Sequence, residues 1–205
     1  MGGAKGMAVE LWAALLDRRL TERETEAMLE LLPPERRERL LRVRDLEKWR
    51  EPLSAYAILR RALWETRRWR ELPPIALSAQ GKPDFPDAPD VHFSLSHTGG
   101  AVLVGLSEEP LGVDIERVRP VSPRTMKRLA DAATEEAFFQ SWVRREARFK
   151  RSGAGVSIMR EGETPLQPGE YFYYVDTFPG YVAGAATRSE EGLGRVRRFS
   201  LGQMV

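Results

Sequence analysis

The sequence predicts an α+β fold built from two similar halves in a pseudo-dimer, each a small antiparallel sheet packed on a long helix. Three observations carry this. A helical hydrophobic pattern at 52–70 precedes strand-like runs over 91–118, and a second at 135–151 precedes runs over 171–187, so helix-then-strands occurs twice. Short turns, Thr98-Gly99-Gly100 and Phe178-Pro179-Gly180, separate neighbouring runs, as in antiparallel pairs. The 205 residues, 42% of them hydrophobic, suffice for one domain or two small packed ones. The expected division is a flexible or appended N-terminus at 1–7 with Met7 as a natural start, a first half at 8–110 and a second at 111–205.

The elements follow in order. "VELWAALL" (9–16) is a short apolar run that fits strand or helix. Thr21 opens a helix, because Glu24 three residues on completes a capping box. Pro33-Pro34 ends it, and Pro34 suits the first position of a second helix, 34–49. Leu53, Tyr56, Ala57, Leu63 and Trp64 recur at helical spacing and give a third helix from Pro52. The Pro-rich segment 72–90 reads as a connector. "VHFSLSH", "AVLVGLS" and "LGVDIERV" read as a three-stranded meander. Thr134 caps the second long helix, with acids in its first turn and Gly153 as its stop. "EYFYYVDT" and "GYVAGAAT" pair as strands, and "RVRRFSLG" supplies a last one.

Composition removes several classes of function. There is no Cys, so disulfides, thiolate nucleophiles and Cys-based zinc sites are excluded. Thirty-two Lys and Arg against 30 Asp and Glu leave a net charge of +2, too balanced to argue for nucleic acid. No apolar run approaches the roughly 20 residues of a membrane span. A cytoplasmic protein that binds neither nucleic acid nor membrane is expected.

Asp114 and Glu116 in "LGVDIERV" are two apart, so on a strand they share one face, about 7 Å apart, while Val113 and Ile115 take the other. Either the acids are solvated or paired with Arg, or they hold a hard cation such as Mg²⁺. Glu146 is a possible third carboxylate. It lies on one helical stripe with Trp142 and Lys150, where a surface Glu–Lys pair is the competing reading. His97 follows Ser96 and precedes a Gly-rich turn that a phosphate can approach. Arg36 and Arg39 share a face near a helix N-terminus, and Lys82 sits in a Gly-Lys-Pro turn.

"GKP", "FSLSH", "GVDIE", "WVRREARFK" and "SGAG", in that order, resemble the motif set of the 4′-phosphopantetheinyl transferases of the surfactin-synthetase-activating (Sfp) type, and the likeness spans nearly the whole chain. The resemblance implies coenzyme A as substrate in a cleft between two α+β halves. It implies Mg²⁺ held by Asp114, Glu116 and Glu146, and transfer of the phosphopantetheine arm to a serine of an apo acyl or peptidyl carrier protein. By the same resemblance Glu146 is the general base, and Lys150 and Arg145 contact the phosphates. Ser96, His97, Arg36, Arg39 and Lys82 contact the nucleotide and its 3′-phosphate. A monomer is expected, because the pseudo-dimer builds its cleft within one chain.

Three departures stand out: Arg145 replaces a usual Lys, the stretch from Glu116 to Trp142 is short, and Glu51-Pro52 stands where the family tends to have Ser or Thr. They leave a non-catalytic coenzyme A-binding homologue as the alternative.

Overall fold

The computed structural model describes residues 8–42, 47–79, 81–153 and 164–203, with the backbone alone at 39, 47 and 202. β1 (Val9–Leu15) is followed by three helices, α1 (Glu22–Glu30), α2 (Pro34–Leu41) and α3 (Glu47–Arg67). Then come the short strands β2 (Ala76–Leu77) and β3 (Pro83–Asp84), and the longer β4 (His92–Thr98), β5 (Ala101–Ser107) and β6 (Leu111–Arg117). α4 (Pro123–Ala130) and α5 (Glu135–Ser152) precede β7 (Tyr171–Tyr174), β8 (Tyr181–Thr187) and β9 (Leu193–Phe199), and a 3₁₀ turn covers Leu201–Gln203.

The α+β expectation holds. One sheet has the order β4-β5-β1-β9, another β6-β8-β7, and β2 pairs with β3. With α1, α2, β2, β3 and α4 set aside, the series β1-α3-β4-β5 is followed by β6-α5-β7-β8, and the last strand of each series lies inside its sheet. The meander is corrected: β6 leaves β5 and pairs antiparallel with β8, from Leu111 opposite Thr187 to Arg117 opposite Tyr181. β9 crosses back to pair parallel with β1.

Hydrophobic pattern explains the layers. β1 settles as a strand because it is buried on both faces, with Trp12 and Ala14 in a cluster with α3, and Val9, Leu11 and Ala13 in a cluster between the sheets. Val113 and Ile115 of β6 enter that same inter-sheet cluster, with Ala183 and Ala185 of β8. Phe138, Phe139 and Val143 of α5 pack with Val182 and Phe172 on the far side of the second sheet. The result is a helix–sheet–sheet–helix stack.

The helices differ from expectation in three places: α2 ends at Leu41 rather than at 49, α3 takes in Trp49, and an extra helix appears. α3 begins at Glu47 with Pro52 inside it, rather than at Pro52. Burial of Trp49 and Leu53 in the first core outweighs the backbone bond that the proline removes. α4, which the pattern did not reveal, is opened by Ser122, whose hydroxyl accepts from the Thr125 amide, with Pro123 at the first position. α1 shows the predicted capping box, and α5 stops on Gly153 with φ +65°.

One glycine fixes how closely α5 lies on β6. A Cβ on Gly112 would sit 2.1 Å from the Ala147 carbonyl oxygen and 2.3 Å from the Arg151 amide nitrogen. Both are backbone atoms that no rotamer can move. Gly112→Ala should therefore cost about 3 kcal/mol or more of unfolding free energy, read from the shift of a urea midpoint. A midpoint unchanged from wild type would disprove this close approach.

Candidate active site

β4 and β6 are edge strands of their own sheets, and among the described residues no backbone ladder joins them. Hydroxyls on β4 join them instead. The Val113 amide donates to Ser94 Oγ at 2.9 Å, and the Ile115 amide donates to Ser96 Oγ at 3.3 Å. The seam therefore covers two exposed edges with side chains. Tyr181 of β8 adds a further tie, its hydroxyl donating to the Gly99 carbonyl in the β4–β5 turn at 2.7 Å.

Strand alternation acts as expected. With Val113 and Ile115 turned into the core, Asp114 and Glu116 face the opposite side of β6, where α5 lies. α5 presents Glu146 and Lys150, one turn apart. Lys150 Nζ reaches Asp114 Oδ1 at 2.7 Å, and Ser96 Oγ donates to the same oxygen at 2.7 Å. Asp114 is buried, and its other oxygen, Oδ2, has no hydrogen-bond partner. A buried lone oxygen on a carboxylate is costly without a cation or donor, which marks a place a ligand would fill.

Glu116 accepts from Arg119 Nη1 at 2.8 Å and more distantly from Thr98 Oγ1 at 3.4 Å. The Arg119 guanidinium also lies 4.8 Å from the Phe139 ring centre. Burial first, and then the Asp114 charge, push the Glu146 carboxyl above the ordinary carboxylate range, with Glu116 adding to the rise and Lys150 and Arg145 opposing it. The three acids thus feel one another, but they do not close a cage. Among the described residues no group of three His, Asp or Glu side chains stands ready to hold a metal by itself. Cationic side chains occupy Asp114 and Glu116 instead.

The other predicted residues spread around this centre. Lys82 Nζ donates to the carbonyls of Leu111 at 3.3 Å and Arg151 at 3.0 Å, so it ties the Gly-Lys-Pro turn to β6 and the end of α5. Burial, with Arg151 nearby, lowers its ammonium to about 8. Lys82 and Lys150 both line a cavity of about 240 Å³ with Pro83, Leu95 and Phe149. His97 is half-exposed and its Nδ1 is 3.0 Å from Glu51 Oε2. Arg145 is only 2% exposed, against the Trp142 ring at 5.8 Å, and so reaches no open surface. Arg36 makes no described hydrogen bond or ion pair to the acids, and its Nη2 is buried without a partner. The Arg39 side chain and the Ala154-Gly155 end of the "SGAG" motif lie outside the described residues.

Sequence reasoning missed four participants. Glu51 appeared only as a departure, yet it accepts from the Gly100 amide at 2.7 Å and holds His97. The His97 hydrogen bond, against the opposing effect of burial, keeps its carboxyl below the usual range. Arg119 has no motif of its own; its spacing of three from Glu116 was the available signal. Arg148 and Glu170 form a buried pair twenty-two positions apart, which no local pattern exposes.

Comparison with known proteins fits these observations. No family model matches the chain. It is 30% identical over 165 residues to the 4′-phosphopantetheinyl transferase Sfp of Bacillus subtilis (strain 168), covering 73% of each chain. It is 28% identical over 164 residues to the 4′-phosphopantetheinyl transferase ffp of Bacillus subtilis, again covering 73% of each. To the 4′-phosphopantetheinyl transferase AcpT of Escherichia coli (strain K12) it is 32% identical over 142 residues, 61% of this chain and 67% of the relative. The chain belongs to the 4′-phosphopantetheinyl transferases and is an enzyme of that family.

Proposed function

We propose that the chain moves the 4′-phosphopantetheine arm of coenzyme A onto a serine hydroxyl of an apo acyl or peptidyl carrier protein, with Mg²⁺ held by Asp114, Glu116 and Glu146. The observation that carries this is the meeting of three carboxylates and Lys150 where β6 crosses α5, with one buried Asp114 oxygen left over. The donor set fits a hard cation, because Mg²⁺ takes oxygen ligands and needs only one or two carboxylates when substrate phosphates and water complete its shell. When bound, it neutralises the pyrophosphate and eases departure of the leaving group.

The chain's own residues do the rest. Glu146 accepts the proton of the carrier serine, directly or through one water. The serine oxygen forms a bond to the phosphorus of the phosphopantetheine arm. The bond from that phosphorus to the bridging oxygen breaks, and adenosine 3′,5′-bisphosphate leaves with the electron pair. Lys150, one turn beyond Glu146 on α5 and paired with Asp114 here, would supply a point charge to the leaving phosphate. Positioning and charge neutralisation of this kind carry most phosphoryl-group chemistry. Within the short stretch between Glu116 and Trp142, α4 forms a capped helix.

Intact-mass measurement tests the reading. An apo carrier incubated with coenzyme A, Mg²⁺ and the enzyme should gain one phosphopantetheine mass; EDTA should stop the gain and added Mg²⁺ restore it. No gain with fatty-acid, polyketide and peptide carriers, or a gain that EDTA leaves intact, would remove the proposal.

A further inference from the structure

We propose that Ser96 is a positioning residue for Asp114 and not a contact to the nucleotide: it holds Oδ1 so that Oδ2 is the oxygen offered to a divalent cation. This rests on the metal reading given above. Ser96 is 6% exposed and its one donor proton is committed. Its oxygen accepts from the Ile115 amide at 3.3 Å and its single proton goes to Asp114 Oδ1 at 2.7 Å. An ionised carboxylate can only accept, so the direction of that bond is fixed.

Lys150 lands on the same oxygen at 2.7 Å, while Oδ2 is buried without a partner. Two donors on one oxygen stop the carboxylate from rotating about its last bond. Ser96 is the donor anchored to the backbone of the strand that carries Asp114, so it holds Oδ1 independently of the longer, more mobile Lys150 side chain. A partner of this kind, touching the ligand rather than the metal, characteristically sets metal affinity by a factor of ten or more.

Ser94 supplies the control. It lies two residues earlier on the same face of β4 and accepts from the Val113 amide at 2.9 Å, the same seam contact, with no carboxylate bond. Ser94→Ala and Ser96→Ala therefore remove equivalent seam bonds, and only the second frees a carboxylate.

Mn²⁺ serves as the probe, its free concentration followed by electron paramagnetic resonance in a titration of the full chain with coenzyme A present. Coenzyme A affinity is measured separately in EDTA by calorimetry. Wild type and Ser94→Ala should bind one Mn²⁺ alike. Ser96→Ala should bind it about tenfold more weakly and keep wild-type affinity for coenzyme A in EDTA. If Ser96→Ala does not fold, Ser96→Cys, of similar size and a poor donor, carries the same expectation.

Mn²⁺ affinity within twofold of wild type in the Ser96 variant overturns the assignment, as does an equal loss in Ser94→Ala. A fall in coenzyme A affinity in EDTA with unchanged Mn²⁺ binding overturns it in favour of a nucleotide contact. Absence of Mn²⁺ binding by the wild type overturns the metal reading itself, and the Ser96 assignment with it.

Discussion

Glu146→Gln should lower the rate of phosphopantetheine transfer by about a thousandfold, roughly 4 kcal/mol of barrier, while leaving the fold as stable as before or more so. Both halves of this expectation come from the same surroundings. Burial and the neighbouring Asp114 make the ionised carboxyl unfavourable in the metal-free protein, and under the proposed mechanism the same carboxyl takes the serine proton. Gln keeps the shape and cannot take the proton. It also lacks the charge that Asp114 and Glu116 repel. Because the folded state raises the carboxyl's affinity for protons, its favourable contribution is full at acid pH and is lost as pH rises through the folded value. At neutral pH the Gln variant should therefore melt no lower than wild type. Single-turnover mass measurement at saturating coenzyme A gives the rate, and thermal melts at pH 5 and pH 8 give the stability. Activity within tenfold of wild type would move the proton acceptor elsewhere, and a large fall in melting temperature would mean that Glu146 is a structural anion.

How much of this centre the sequence reveals depends on whether a residue's partner is local. Strand alternation alone places Asp114 and Glu116 on one face and Val113 and Ile115 in the core, and the structure agrees. The α5 stripe likewise carries Glu146 and Lys150 to that face. What alternation does not contain is the cross-strand geometry. The apolar run of β6 follows β5 closely, so a meander is the local reading, yet β6 completes its backbone bonds with β8, seventy positions on. Once β6 leaves, the β4 edge needs another partner, and the hydroxyls of Ser94 and Ser96 become seam residues. Their alternate spacing was visible; its purpose was not.

Long-range charge is harder still. Arg145 and Lys150 both look like phosphate ligands from their motif, but five positions along α5 separate a buried guanidinium from a partly exposed ammonium. Glu51, which breaks the family pattern, is explained only when the β4–β5 turn is seen against the start of α3, where it satisfies the Gly100 amide.

Glu170→Ala should destabilise the protein by about 3–5 kcal/mol, the largest effect on stability expected of any single charge here. Glu170 is 6% exposed and faces two buried arginines. Arg148 holds it with a two-pronged pair of bonds, Nε to Oε1 and Nη2 to Oε2, both 2.9 Å, and Arg151 Nη2 stands 3.2 Å from Oε1. The Gln167 amide donates to it at 2.9 Å, and Arg148 also reaches the carbonyls of Thr164 and Pro165. Removing the carboxylate leaves two desolvated cations and an orphaned amide, so the loss exceeds the net worth of the pair. Burial alone would raise the Glu170 carboxyl, but Arg148, the Gln167 amide and Arg151 outweigh it and hold the group below the ordinary range. Its contribution is therefore present above the usual carboxylate value and disappears as pH falls through the lower folded value. Urea midpoints at pH 7 should show the full deficit of the variant, and the gap between variant and wild type should close as the buffer is acidified. The triple change Glu170→Leu, Arg148→Met, Arg151→Met should recover part of the loss, since an apolar set of similar volume strands no charge. A single Ala variant within about 1 kcal/mol of wild type at pH 7, or a deficit that grows in acid, would show that these charges are solvated in the folded protein, and the C-terminal turn of α5 would then owe its place to the close Gly112 approach and to the bonds made by Lys82 and Lys150.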